Sequence, residues 1–401
     1  MVKKLKIGIC GTGQFAGSFI PLFKAHPMVE EVYIAEVFPE RRQKEAKRFG
    51  IRQVYASLDE LIRSDADAVV LMTQRWMHAP QAIKALKAGK HVYSAVPAAT
   101  TLEELSELVE TVKATGLTYM MGETSYYYPA TLYCRKRFAA GDFGQFVYGE
   151  GEYLHDMSVG FYEAYQYSGG ENWKSTASYP PMLYPTHSIS MILSVTGSRM
   201  TEVSCMGYVD RHDDGVFRAE VSMWGNIFSN ETALFRTADG GMCRINEFRR
   251  VGYRAHPEVR MSLFGTEANF EEQTCGRVWN TRSGETQDLT DLLTCKPPAQ
   301  MDPAEYEHIA PELRAGFFTG LSAVHPVERL PKEFIGLPNG HEGSHQFLVL
   351  DFIEAILNET LPPVNVWEAA RYNAPGMVAH ESAKRGGELL KIPDFGDAPK
   401  T

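Results

Sequence analysis

The chain has 401 residues, 44% hydrophobic and 22% charged, with a formal net charge of -10 at pH 7. That length allows two domains, each with its own core, and the acidic balance argues against a nucleic-acid or anionic-membrane partner. No apolar run reaches the length of a membrane span, and a strand pattern starts at once where a signal peptide would lie, so the cytoplasm is the expected location. The six cysteines show no C-x-x-C pair and read as reduced thiols, not as disulfides or zinc ligands.

The first element is a short apolar strand over 7–10, passing directly into Gly11-Thr12-Gly13-Gln14-Phe15-Ala16. This is the G-x-G-x-x-G/A spacing of a dinucleotide-binding turn. Gly11 allows the tight turn, Gly13 lets backbone approach a pyrophosphate, and Ala16 keeps the following helix, expected over 15–25, close to its strand. A second strand over 32–37 carries Glu36 near its end, where such a fold places the acid that bonds the adenosine ribose. A carboxylate there favours NAD, although Arg41 and Arg42 keep NADP open.

Helix 41–48, strand 54–56, helix 58–63 and buried strand 67–72 follow. Thr73-Gln74-Arg75-Trp76-Met77-His78 then lies at a strand's carboxyl end, where ligands of open parallel sheets collect. Helix 79–88, strand 91–94, helix 102–114 and strand 117–121 complete a βα alternation typical of a doubly wound sheet. We place the first domain at 1–122 and a second, of α+β type, at 123–401. The second opens with helix 129–140 and strand 146–153, then a Gly-, Tyr- and Ser-rich segment to 179 and a helix over 187–195. Runs at 202–208, 216–224, 231–237, 241–247 and 260–265 read as an open, mainly antiparallel sheet. The Pro-rich, acidic stretch 284–339 is expected to cross the surface, and helices 344–357 and 366–387 close the chain, with room to pack back on the first domain.

The block 67–101, DAVVLMTQRWMHAPQAIKALKAGKHVYSAVPAATT, resembles the signature of the Gfo/Idh/MocA family of sugar oxidoreductases. The resemblance covers nearly the full length and implies a Rossmann domain followed by an open antiparallel sheet, bound NAD, and a dimer or tetramer formed through that sheet. His78 matches the family's histidine after the fourth strand and Pro97 the proline of its E-K-P motif. The lysine usually taken as catalytic is replaced by Val96, and its glutamate by Ala95. Val96-Pro97-Ala98-Ala99, Tyr184-Pro185-Thr186-His187 and Gly340-His341-Glu342-Gly343 resemble a narrower branch, glycoside hydrolase family 109, the NAD-dependent α-N-acetylgalactosaminidases. That branch oxidises a sugar at C3, eliminates, adds water and reduces again, for net hydrolysis. Ala95, Ser188 and Gly122-Glu123-Thr124 depart from its pattern.

Valine cannot move a proton, so other groups must. His187 takes the position of the family's second-domain histidine, and imidazole suits a base near neutral pH; capping a helix is the plainer alternative. Tyr184 is either an acid or base or a packing ring. His341 is the third candidate, with His345 a weaker one. His341-Glu342-Gly343-Ser344-His345 also fits H-E-x-x-H, but Gly340 and Gly343 put the first histidine in a loop and no third ligand follows, so no metal is expected. Thr73, Gln74, Trp76, His78, Val96 and Pro97 are expected along the dinucleotide, and Glu123 at the nicotinamide ribose. His155 and Asp156 match H-D of the narrower branch and are expected, with Trp173 and Lys174, to bind a carbohydrate. The expected activity is hydride transfer between nicotinamide and a sugar ring carbon. Its rivals are a cofactor-recycling glycosidase and a nucleotide-binding regulatory protein without turnover.

Overall fold

The computed structural model describes residues 3–255, 257–296, 311, 314 and 318–399. Its first sheet is built from β1 (Leu5–Cys10), β2 (Val29–Ala35), β3 (Val54–Tyr55), β4 (Ala68–Leu71), β5 (His91–Ser94) and β6 (Tyr119–Met121), in the order β3-β2-β1-β4-β5-β6. All its pairs are parallel. The intervening helices are α1 (Ala16–Ala25), α2 (Pro39–Phe49), α3 (Leu58–Leu61), α4 (His78–Lys87) and α5 (Leu102–Thr115). Strands covered on both faces must be apolar throughout, and β4 is buried at every residue. The strand order reverses between β1 and β4, and Cys10 pairs with Leu71. The glycine turn and the segment after β4 therefore leave the sheet side by side, at the switch point where ligands bind.

The second domain comprises α6 (Pro129–Ala139), β7 (Phe146–Leu154), α7 (Phe161–Gly169), α8 (Trp173–Ala177), α9 (Thr186–Thr196), β8 (Met200–Val209), β9 (Phe228–Thr237), β10 (Met242–Phe248) and β11 (Val259–Gly265). It continues through β12 (Ala268–Gln273), β13 (Gly276–Thr281), β14 (Thr286–Asp288), α10 (Thr290–Leu293), α11 (His345–Leu357), α12 (Val366–Lys384) and β15 (Leu390–Lys391). Among the described residues its nine strands run β14-β13-β12-β11-β7-β10-β9-β8-β15, antiparallel except where β7 and β10 pair in parallel. Helix α9 lies on the inner face, so close to β7 that a Cβ on Gly151 would collide with the Ser188 carbonyl.

Both C-terminal helices pack on the first sheet. Phe347 and Phe352 of α11 join Ile7, Ile9, Phe19 and Phe23 in one buried cluster. On the opposite face Trp367 and Ala370 of α12 join Val69, Leu71, Val92 and Leu105, and Asn373 accepts a hydrogen bond from Ala98 N at 3.0 Å.

Several elements differ from expectation. The tyrosine-rich segment before residue 179 holds two helices, α7 and α8. The alternating run 216–224 is not a strand; Val216 and Phe217 are buried with Met157, Tyr165 and Ala177 in a small separate cluster, and side-chain burial under α7 replaces ladder pairing. Residue 37 falls outside β2, with Val37 64% exposed. Strands β12 to β15, which extend the sheet at its two ends, have no counterpart in the expected elements. Of the stretch 284–339, residues 297–310, 312–313 and 315–317 lie outside the described residues.

Candidate active site

One cavity of about 430 Å³ runs from the glycine turn to the second-domain tyrosines and histidines, within the size range of small-molecule sites. Its floor is the end of β1. Gly11 sits at φ 86°, and a Cβ there would also come within 2.7 Å of the Met72 carbonyl, so only glycine lets the turn lie against the segment after β4. A Cβ on Gly13 would meet nothing within 4 Å, which leaves the space a phosphate needs beside the start of α1. Gln14 and Phe15 line the same space, and Gln14 Oε1 is buried without a protein partner. Ala16 is fully buried and sets the approach of α1 instead of lining the cavity. Glu36 is buried, accepts from Thr12 N at 3.1 Å and Thr12 Oγ1 at 2.9 Å, and has Arg41 at 3.7 Å. These features fit a dinucleotide: a turn without side chains, an unpartnered buried amide oxygen and a carboxylate at the end of β2.

Thr73, Gln74, Met77 and Val96 line the cavity. The other residues expected along the dinucleotide are placed otherwise. Trp76 packs edge-on against Trp224, ring centroids 5.7 Å apart, outside the cavity. His78 reaches the cavity wall, but its ring is buried between the carbonyls of Pro97 at 2.8 Å and Thr73 at 3.1 Å. Burial holds it down to about 4, so a neutral imidazole ties the segment after β4 to the cis Val96-Pro97 turn. Pro97 itself contributes that carbonyl and not a cavity surface.

Glu123 is the clearest correction. Expected at a ribose, it is wholly buried, and its Oε1 lies 2.6 Å from His187 Nδ1 while accepting from Ser125 N at 2.9 Å. Burial opposes the charge, but the neighbouring His187 outweighs it and holds the carboxyl below its ordinary range. The carboxylate fixes the imidazole orientation, and Nε2 is the ring nitrogen left for the cavity. Tyr184, three residues earlier, meets His187 edge-on at 5.4 Å, and both line the cavity with His341.

His341 closes the wall from the second domain, with its ring 5.5 Å from that of Phe15 and Nδ1 2.9 Å from His345 Nε2. Burial depresses it to about 4. His341, Glu342 and Gly343 all have positive φ, at 48°, 53° and 83°, a left-handed turn that non-glycine residues adopt at a cost and that is concentrated at functional sites. The H-E-x-x-H letters therefore straddle a loop and the start of α11, and their histidines bond each other. Among the described residues no group of three His, Cys, Asp or Glu is arranged to hold a metal.

The residues expected to hold carbohydrate divide. His155 lines the cavity, stacked on Phe161 at 3.8 Å, with Nε2 at 2.8 Å from Val159 O and Nδ1 at 3.0 Å from Glu258. Asp156 faces away and caps a turn, accepting from Ser158 N and Val251 N. Trp173 packs against Tyr162 and Lys174 donates to Asp214 O at 2.8 Å; neither reaches the cavity. Arg249 and Arg250 form ion pairs within the chain, with Glu247 at 2.8 Å and Asp214 at 2.5 Å.

Sequence reasoning passed over Arg75, Tyr153 and Glu258, all of which line the cavity. Arg75 had a signal, its place at the carboxyl end of β4. Glu258 had none, since only the fold of β7 against β11 brings it to His155.

Residues 5–123 match the family model described as "Oxidoreductase family, NAD-binding Rossmann fold" (GFO_IDH_MocA). A glycosyl hydrolase family 109 protein of Streptomyces filamentosus is 26% identical over 417 residues, covering 98% of this chain and 77% of that protein. Among solved structures, an oxidoreductase domain protein from Kribbella flavida superposes with a TM-score of 0.73 at 17% identity, covering 98% of this chain and all of its own. Levoglucosan dehydrogenase in complex with NADH and levoglucosan gives 0.71 at 19% identity, with the same shares of the two chains. Residues 5–123 thus match the NAD-binding Rossmann fold of that oxidoreductase family, and along nearly its whole length the chain is similar to glycosyl hydrolase family 109 proteins.

Proposed function

We propose that the protein oxidises a sugar or glycoside at a ring carbon, C3, with NAD as hydride acceptor. The observation that carries this reading is the Glu123–His187 couple opening into the same cavity as the glycine turn. NAD, when bound, supplies the acceptor and donor of hydride. Gly11, Gly13, Gln14, Phe15 and Glu36 would hold it, together with Thr73, Gln74 and Val96. The chain's own task is the hydroxyl proton: Nε2 of His187, its tautomer fixed by Glu123, takes it from the substrate by way of Tyr184. His155 and His341 bound the sugar subsite, where both rings are held by their hydrogen bonds.

A second reading is favoured by α7. Arg41 donates to Tyr167 O at 2.9 Å and lies over the Tyr167 ring at 4.3 Å, so this helix covers the adenosine end of the cleft and favours a retained cofactor. A retained cofactor suits a cycle of oxidation, elimination, hydration and reduction with net glycoside hydrolysis, in line with the names of the full-length relatives. The test is a screen of glycosides and free sugars recording NADH absorbance and released aglycone together. NADH without aglycone supports the dehydrogenase and aglycone without NADH the hydrolase; binding of NAD with neither product refutes both.

Assembly as a dimer or tetramer through the outer face of the nine-stranded sheet belongs to the same proposal. It is supported by the exposed Met206, Leu234 and Met242 on adjacent strands. So does a cytoplasmic location, supported by six free cysteines. No described helix is long and apolar enough to cross a membrane. The domain boundary at 122/123 is proposed from the end of β6 at Met121.

A further inference from the structure

Arg75 has no part in the scheme above, yet it stands at the centre of the site. It begins the single helical turn Arg75–Met77 directly after β4, and His78 anchors that turn to Pro97. Its guanidinium lies 4.4 Å from the centre of the Tyr184 ring and 5.3 Å from those of Tyr165 and Tyr179, and it donates to the Tyr165 hydroxyl. Its electrostatic neighbours are phenols, and no ion pair among the described residues includes it.

Arg75 is half-buried; a guanidinium cannot shed its proton, and a partly desolvated cation without a carboxylate beside it is costly. Such an arrangement becomes favourable when a neighbouring group turns negative. Tyr184 is that group. Burial pushes its phenol up, Arg75 opposes this, and Glu123 adds to the rise. The rings of Tyr153 and His187 also face it. Arg249, over the Tyr153 ring, is paired with Glu247 at 2.8 Å. Among the described residues, Arg75 is the cation that lies over Tyr184 without an ion pair of its own, and it offsets the formation of a phenolate there.

Resting on the reading of Tyr184 as a proton-handling group, we propose that Arg75 is a positioning residue of the reaction, holding negative charge on the Tyr184 oxygen. The O–H bond of the substrate hydroxyl breaks as a new O–H bond forms on Tyr184, whose own phenol proton passes to Nε2 of His187, and the reverse steps return both protons. The charge needed beside the reacting oxygen then comes from the segment after β4.

The test uses full-length protein in which tyrosine is replaced by a fluorinated tyrosine, whose phenol titrates within the accessible range. Fluorine NMR follows it, with the Tyr184 signal assigned by its loss in Tyr184→Phe. In Arg75→Met and Arg75→Gln the Tyr184 midpoint should rise by about 1–3 pH units, the usual effect of losing an opposite charge at this range. Arg75→Lys should stay near wild type, and the remaining tyrosine signals report that each variant is folded. A Tyr184 midpoint unmoved in both neutral variants overturns the proposal, whether or not a substrate is known. A moved midpoint in protein that turns over no sugar counts instead against the catalytic reading of Tyr184.

Discussion

Replacing Glu123 by glutamine isolates the couple on which the proposed chemistry rests. The carboxylate is wholly buried and 2.6 Å from His187 Nδ1, so its charge acts with little water to screen it. A hydrogen bond to a charged group contributes about 1.5–3 kcal/mol, against roughly 0.5–1.5 for a neutral one. The amide keeps the shape and one such bond, so the direct loss is about 1–2 kcal/mol, or roughly 5–30-fold in rate. An amide can also present its N–H₂ to the ring and select the other tautomer, which in a Ser-His-Asp triad raises the loss to about 10⁴-fold. We expect kcat to fall within this range while affinity for NAD, measured by calorimetry, stays unchanged, because Glu123 does not line the cavity. Turnover would be read from NADH absorbance or aglycone release on whichever substrate the screen identifies. A Glu123→Gln enzyme with kcat within twofold of wild type would show that His187 does not work through this carboxylate.

Three further perturbations test the frame around that couple. Glu36→Ala should weaken NAD about 10–100-fold through loss of a charged hydrogen bond to ribose, while NADP, no longer facing a carboxylate beside Arg41, should bind more tightly than to wild type; calorimetry with both nucleotides checks this, and an unchanged ratio refutes it. Gly376 of α12 faces the turn before Tyr184, where a Cβ would collide with Met182 O and the Pro185 ring. Gly376→Ala should therefore cost about 1–3 kcal/mol in urea unfolding and lower kcat, and unfolding at the wild-type urea midpoint would argue against the close contact. His325 is buried, accepts from Ser322 N at 3.0 Å, and has Nε2 3.0 Å from Tyr127 O; burial holds it down to about 4. Its neutral form belongs to the folded state, so this contribution is present above the unfolded value near 6.5 and is lost as pH falls toward 4, by about 3 kcal/mol in full. His325→Gln should flatten stability over that window, and an equal acid slope in both proteins would refute the assignment.

The first domain was legible because its rules are local. Gly11, Gly13 and Ala16 state their purpose within six residues, and β4 announces its burial by being apolar throughout. Reading failed where the partner is distant in sequence. Glu123 looked like a ribose ligand until α9, sixty-four residues on, brought His187 to it. The run 216–224 carried a strand's alternation, but Val216 and Phe217 spend their apolar surface under α7 and leave no ladder to form. Trp173 and Lys174 had the composition of a sugar subsite, yet Trp173 is drawn into the same small cluster and Lys174 is anchored on Asp214.

The proposed chemistry follows the same division. Arg75 and Glu123 come from either end of the first sheet's second half, after β4 and after β6, and both bring charge. Tyr184 and His187 come from one turn at the head of α9, and both bring titratable rings. Neither pair has a function alone: an arginine against phenols is a packing contact, and a histidine at a helix start is a cap. Gly151 and Gly376 are what let the two pairs meet, one by drawing α9 onto the sheet and the other by letting α12 press against the turn before Tyr184. A substitution at either glycine should therefore act on the proton-handling groups without touching them, a dependence that no motif at the site itself could announce.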